Sequence, residues 1–520
     1  MTKWLENAVF YEIYPQSFYD ANSDGIGDFK GIEEKLDYIQ SLGCNAIWMN
    51  PCYDSPFADA GYDVRDYKKT AARYGSNEEL VHLFEEIHKR NMHIFLDLVP
   101  GHTSDEHEWF KRSSETSENE YYKRYVWTPF WIEYPDGLRG VAGKAERNGV
   151  YLVNFFVSQP ALNYGFLNPD PKKPWQEPID GEGPKATIEA IKDVMRFWLD
   201  LGCDGFRVDM ADSLVKMDDE NKSGTQAVWK QITSMLKSEY PDAAMVSEWN
   251  NPKQSLPAGF DLDFYLDWFG NGYNLLMRDD HTPGDTAIFC KNSKRSITDF
   301  LADYLDKYDS TKDLGRYCLI TGNHDMTRAG HYLDTDELKL AYAFLITMPG
   351  NPFIYYGDEI GMRYLDLPTK EGGYTRTGSR TPMQWSKEAN AGFSKASAEQ
   401  LYLPVDASAD APNVEDQDKD EKSLLNTVRS LIALRQGSED ILTYNNLKFI
   451  YAKEDKRAFA YMRGNTLFAF NPDAKAQDIS WEELGLDRIT APALYKLGDV
   501  SLDESAIHLQ GVSMAVYKIK

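Results

Sequence analysis

The chain has 520 residues, 42% hydrophobic and 27% charged, enough for a large core and more than one domain. Its net charge of -26 repels phosphate, so neither a nucleic acid nor an anionic membrane is expected as a partner. No apolar run reaches the roughly 18 residues that cross a bilayer. The opening MTKWLENAVF lacks the apolar stretch of a signal peptide. Five scattered cysteines, Cys44, Cys52, Cys203, Cys290 and Cys318, have no zinc spacing and read as reduced thiols, which favours a cytoplasmic location.

The first β-rich run is Phe10–Phe18. It leads into DANSDGIGD, where Asp20, Asn22, Asp24 and Asp28, with the carbonyl of Ile26, place oxygen donors at alternate positions around a glycine turn. This is the first part of a calcium loop, although Gly31 stands where an EF-hand has its bidentate Glu. A structural divalent cation is expected there, Ca2+ in preference to Mg2+. A second run, Asn45–Pro51, precedes a helix that starts at Ser76, with Glu79 completing a capping box and Leu80, Phe84 and Ile87 on one face. After the third run, His93–Val99, about 85 residues rich in Trp, Tyr, Gly and Pro are too long for a simple loop. They predict a subdomain inserted after the third strand. A helix is predicted from about Thr187 to Leu201, stopped by Gly202. Five more runs follow: Gly205–Ala211, Ala244–Trp249, Phe260–Tyr265, Tyr317–Asp325 and Asn351–Glu359.

The joints SLGCNAIW and DLGCDGFRV repeat one pattern of helix end, glycine, cysteine and strand. Alternation on this scale predicts an α/β protein, a (β/α)8 TIM barrel over 1–101 and 187–440 with the insertion at 102–186. VEDQDKDEKS, 414–423, reads as a solvated loop and helix start. Beyond 440 the short runs LKFIYAKE, RAFAYMR, NTLFAFNP and SMAVYKIK predict an antiparallel C-terminal β domain, 441–520.

Barrel chemistry sits where strands end. Four strand ends carry charges that a buried strand avoids: Asp97 with His102, Arg207 with Asp209, Glu248, and His324 with Asp325. Arg207 and Asp209 share a face of one strand, which alone fits a structural ion pair equally well. Glu248 on the next strand adds a second carboxylate, and two carboxylates on adjacent strand ends can flank a glycosidic bond. Asp325 can hold sugar hydroxyls and oppose a developing oxocarbenium charge. His102 and His324 are expected to donate to sugar hydroxyls without pairing off the acids. Of the aromatics, Tyr62 in GYDVRDY is the candidate stacking platform.

These residues resemble the α-amylase superfamily, glycoside hydrolase family 13, over nearly the whole length. DLVPGHTSDEH, GFRVDMAD, VSEW and GNHD look like its third-, fourth-, fifth- and seventh-strand motifs, and QPALNY like its motif in the inserted subdomain. The resemblance implies Asp209 as nucleophile, Glu248 as acid/base and Asp325 as transition-state stabiliser. It places Tyr62, Asp63, His102, Arg207 and His324 around the first sugar, and makes Gln159 of QPALNY a further substrate-binding residue. DANSDGIGDFKG, GYDVRDY and SRTPMQW are similar to the oligo-1,6-glucosidase group, whose members act on the non-reducing end of short α-glucosides. In the similar glucosidases an Asp and an Arg at the positions of Asp63 and Arg380 pair and grip the terminal 4-hydroxyl. Gly101 stands where amylases carry a calcium-binding Asn, so their second calcium site is expected to be absent. The expected activity is a retaining exo-acting α-glucosidase on a small α-glucoside. The alternatives are a trehalose synthase-like or sucrose isomerase-like transferase of the same site, and a non-catalytic homologue.

Overall fold

The protein is described by a computed structural model over residues 2–519, apart from Asp136, Phe269, 280–285 and 372–374. Eight parallel strands form the central sheet: β1 Phe10–Ile13, β2 Ala46–Met49, β3 His93–Leu98, β4 Gly205–Val208, β5 Ala244–Ser247, β6 Leu262–Phe264, β7 Arg316–Cys318 and β8 Phe353–Tyr355. Their order is β7-β6-β5-β4-β3-β2-β1-β8. A parallel bridge between Ile320 and Phe353 joins the two outer members and closes the barrel. The strands are buried on both faces, as near-continuous apolar runs require. Rings of Phe10, Phe95, Phe353, Phe264 and Trp48 pack against one another and fill the barrel below its mouth.

Each predicted run coincides with one strand, the seventh strand starting one residue ahead of its run, but most runs outlast their strand. The seventh is the clearest case: the ladder stops at Cys318, Thr321 donates once more to Phe353 O, and the chain then turns to present His324 and Asp325. Gly43 and Gly202, at φ +89° and +108°, end the helices at the two repeated joints, in the left-handed region that favours glycine. The Ser76 capping box forms as expected. The helix predicted from Thr187 begins earlier, at Glu182, because Gly181 serves as N-cap and Pro184 is tolerated in the first turn.

The inserted segment folds over the mouth as a short helix, Glu108–Ser113, and a hairpin, Gly140–Ala142 with Val150–Leu152. It has its own small apolar cluster of Val126, Leu152, Ala161 and Phe166. Val414–Lys419 is helical, within the acidic run. The C-terminal region forms an antiparallel sheet from β9 Leu447–Tyr451, β10 Phe459–Arg463, β11 Thr466–Asn471 and β16 Ser513–Lys518, as the four runs predicted. Between them lie β12 Gln477–Ser480, β13 Tyr495–Leu497, β14 Val500–Leu502 and β15 Ala506–Leu509. β13 completes that sheet, and β12, β15 and β14 form a second one. These four strands, of three or four residues each, are too short for a sequence pattern to reveal.

Candidate active site

The carbonyl ends of β3, β4 and β5 converge on one guanidinium. Arg207, 1% exposed, reaches Asp97 at 2.8 Å, Asp209 at 3.1 Å and Glu248 at 2.9 Å. Asp209 and Glu248 therefore face each other across Arg207, on adjacent strands. Met210, directly after Asp209, is held at φ +42°, and its N–H donates to Glu248 Oε2 at 2.8 Å. A strained residue next to two acids marks a site whose geometry is enforced by its surroundings. Glu248 Oε2 thus takes two donors, Arg207 and Met210, and Oε1 is left to carry a proton.

Burial, followed by the charge of Glu248, pushes the Asp209 carboxyl well above its ordinary range. Burial also raises Glu248, with Arg207 opposing it. The two carboxyls therefore each favour the protonated form more than a free carboxyl does, and they titrate as an interacting pair. Asp325 is different. Burial raises it, but His324, Arg376 and Arg380 outweigh burial and hold it well below the usual carboxylate range. His324, bonded to Glu12 at 2.9 Å and Asp325 at 3.2 Å, keeps its proton to about 9. Two raised, interacting carboxyls beside a third, fixed anion supply the groups that cleavage through an oxocarbenium-like state requires. The activity should follow a bell in pH. The acid limb is protonation of the carboxylate left in the Asp209–Glu248 pair. The alkaline limb is loss of the last proton on that pair, above the ordinary carboxylate range of about 4. Initial rates across pH check this; a rate that stays flat from acid pH to 9 would overturn the assignment of both limbs to the pair.

Two predicted arrangements are corrected, a His324 free of acids and an Asp63–Arg380 pair, while His102 and Gln159 are bonded within the protein. His324 does pair with acids, Glu12 and Asp325, rather than leaving them free. His102 has both ring nitrogens engaged within the protein, by Tyr62 O at 3.1 Å and Asn154 Nδ2 at 3.2 Å. Gln159 is fully buried, and its Nε2 donates to Asp59 at 2.7 Å. Asp63 and Arg380 do not pair. Asp63 points inward and accepts from Ser55 Oγ and from the amides of Ala58 and Asp59. Arg380 bridges Asp325 and the buried Glu371, each at 2.9 Å. The bridge between the loops after β2 and β8 is made by Asp59 and Arg376 instead, at 2.7 Å, and Arg376 also meets Asp325 at 2.8 Å.

Tyr62 is 4% exposed, its ring stacked on His324 and its hydroxyl bonded to Asp97 and His324. The sequence reading missed Glu12, Asp59, Arg376 and Asn50, whose Nδ2 donates to Glu12 Oε1 at 3.1 Å. It noticed Asp97 but assigned it no role in the site.

The Asp20–Asp28 loop is held by its own amides. Asp20 accepts from Ser23 and Gly25, Asn22 from Asp24, Asp24 from Ile26, and Asp28 from Ala21, Asn22 and Gly31. Its donors have the oxygen chemistry of a calcium site. Among the described residues, however, no three His, Cys, Asp or Glu side chains gather as a metal site. At Gly101, where amylases carry a calcium-binding Asn, a Cβ would lie 2.5 Å from Asn154 Nδ2, so a larger residue would have to displace that side chain. There the ammonium of Lys216 rests on Ser213 O and Asn154 Oδ1.

The sequence model of the α-amylase catalytic domain matches residues 12–445, and the chain belongs to the α-amylase family of glycoside hydrolases, family 13. It is 35% identical to the trehalose synthase/amylase TreS of Mycolicibacterium smegmatis, over 84% of this chain and 76% of the relative. It is 30% identical to the oligo-1,6-glucosidase of Bacillus sp. (strain F5), over 89% of this chain and 98% of the relative. The fold matches the trehalulose synthase MutB of Pseudomonas mesoacidophila MX-45 with a TM-score of 0.81 and 25% identity, over 100% of both chains. These relatives thus include an oligo-1,6-glucosidase as well as trehalose and trehalulose synthases. Among the described residues no helix is long and apolar enough to cross a membrane.

Proposed function

We propose that the protein is a retaining, exo-acting α-glucosidase that removes single glucose units from the non-reducing end of short α-glucosides. Asp209 is the nucleophile, Glu248 the acid/base, and Asp325 the anion that opposes the oxocarbenium charge. The observation that carries the reading is the Asp59–Arg376 bridge, which ties two rim loops together directly against Asp325. A charged, bidentate-capable bridge beside the catalytic acids closes one end of the pocket and suits a terminal sugar hydroxyl better than a continuing chain.

The second reading, an isomerase that returns the glucosyl group to its departing partner, is favoured by the 35% identity to a trehalose synthase/amylase. A panel of maltose, isomaltose, sucrose and trehalose, with products resolved by linkage, separates the two. The hydrolase liberates free glucose as its main early product. New disaccharides forming faster than free glucose overturn it in favour of the isomerase. Five buried, unbridged cysteines support a reducing compartment, the cytoplasm.

We also propose that the Asp20–Asp28 loop binds one divalent cation, Ca2+ before Mg2+, through Asp20, Asn22, Asp24, Asp28 and the Ile26 carbonyl. What supports it is a set of hard oxygen donors at alternate positions. The ion acts on stability, not on bond cleavage. Chelator is expected to lower the melting temperature, with the increment restored as free metal rises. Asp24→Ala should abolish that dependence. If Asp24→Ala changes neither melting temperature nor bound metal, the loop is a turn and nothing more.

A further inference from the structure

Lys216 lies at the seam between barrel and insertion. It is 8% exposed, and its backbone pairs with the inserted segment through Phe166. Its Nζ reaches Ser213 O at 3.0 Å and Asn154 Oδ1 at 3.3 Å. An ammonium only donates, so the Asn154 amide must turn its oxygen toward Lys216. The amide nitrogen then faces His102 Nδ1 at 3.2 Å, and also Ser213 Oγ at 3.2 Å. A nitrogen that receives an N–H carries no proton of its own, so His102 is protonated at Nε2. That hydrogen meets Tyr62 O at 3.1 Å, a carbonyl that can only accept. Each link has one permitted direction, fixed by Lys216 at one end and by the Tyr62 carbonyl at the other.

The line continues into the site. The Tyr62 hydroxyl bonds Asp97 at 3.0 Å and His324 at 2.7 Å. Those two groups hold Arg207 and Asp325 respectively. We propose that Lys216 is a positioning residue: through Asn154 it fixes the tautomer of His102, and His102 holds Tyr62 on the floor of the pocket. Burial pushes His102 down to about 4, so it is neutral and in a single tautomer at neutral pH. Burial also pushes the Lys216 ammonium down to about 8, which leaves it charged there. The inference rests on the proposed glucosidase reading for its kinetic arm only.

The decisive test is 15N NMR of the whole protein labelled at histidine, with His102 identified by its loss in His102→Gln. The wild type is expected to give the Nε2–H tautomer at pH 7. Asn154→Asp presents an acceptor to Nδ1 and should move His102 to an Nδ1-protonated form. Lys216→Met removes the donor that orients the amide. It should blur or shift the His102 signal and lower kcat/KM by about ten- to a hundredfold, mostly through kcat, as a misplaced floor residue does. Lys216→Arg keeps a donor and should restore the tautomer. An Nδ1–H tautomer in the wild type overturns the proposal even if no variant folds. So does a Lys216→Met protein that loses melting temperature but keeps both the His102 signal and kcat/KM. Failure of the glucosidase reading would appear in the product panel and leave the histidine spectrum untouched.

Discussion

Asp209→Asn is expected to lower kcat by on the order of 10^4- to 10^6-fold while the protein stays folded. The amide preserves the shape and can still accept from Arg207, which meets the native carboxylate at 3.1 Å. What is lost is the anion that attacks the anomeric carbon. Glu248→Gln should behave differently, because it removes a proton donor rather than a nucleophile. Substrates with poor leaving groups should lose about 10^2- to 10^4-fold, and activated aryl glucosides much less. Two successive displacements return the starting configuration, so the first sugar released from an α-glucoside is α-glucose. NMR at early times reads the anomer directly. If β-glucose appears first, Asp209 is a base acting on water, and the retaining assignment fails.

The acids in this prediction were legible in the sequence because they break a rule. Buried strands avoid charge, and Asp209, Glu248 and Asp325 stand at the ends of apolar runs. The barrel was legible for the complementary reason, since strands buried on both faces keep continuous apolar runs. Glu12 violates the same rule inside the first run, but its partner His324 lies 312 residues away, and only the closed barrel brings them together. The rim pair was misread by one turn at each end. Phe57, Ala60 and Gly61, all at positive φ, coil the chain after β2 tightly enough that Asp63 faces inward and Asp59 faces the mouth. Four residues separate Arg376 from Arg380, and both meet the same oxygen of Asp325. No local pattern says which of the two continues to the opposite loop. The conformation of a positive-φ turn decided it, and periodicity does not encode that.

The corrected pair gives the other large effect. Arg376 is mostly buried and makes contacts at 2.7 Å with Asp59 and 2.8 Å with Asp325. Arg376→Ala leaves Asp59 without its cation and Asp325 with only Arg380 and His324 to balance it, which costs about 2–5 kcal/mol in transition-state terms on a disaccharide. That is a fall of roughly thirty- to several-thousand-fold in kcat/KM. Asp59→Ala should cost a similar amount, and the double variant much less than the sum, because the two act through one bridge. Arg380→Ala is the contrast. Arg380 holds Asp325 but does not touch Asp59, so its loss should lower kcat without changing which chain lengths are accepted. Time-resolved chromatography of maltoheptaose or an isomaltose series tells the two apart. In the wild type, glucose appears first while the chain shortens by one unit at a time. In Arg376→Ala the closed end is breached, and the preference for the shortest substrates should weaken, though the insertion over the mouth still limits entry. Mid-length fragments released early by the wild type would mean that the Asp59–Arg376 bridge does not close the pocket, and that the cleft admits a chain from both sides.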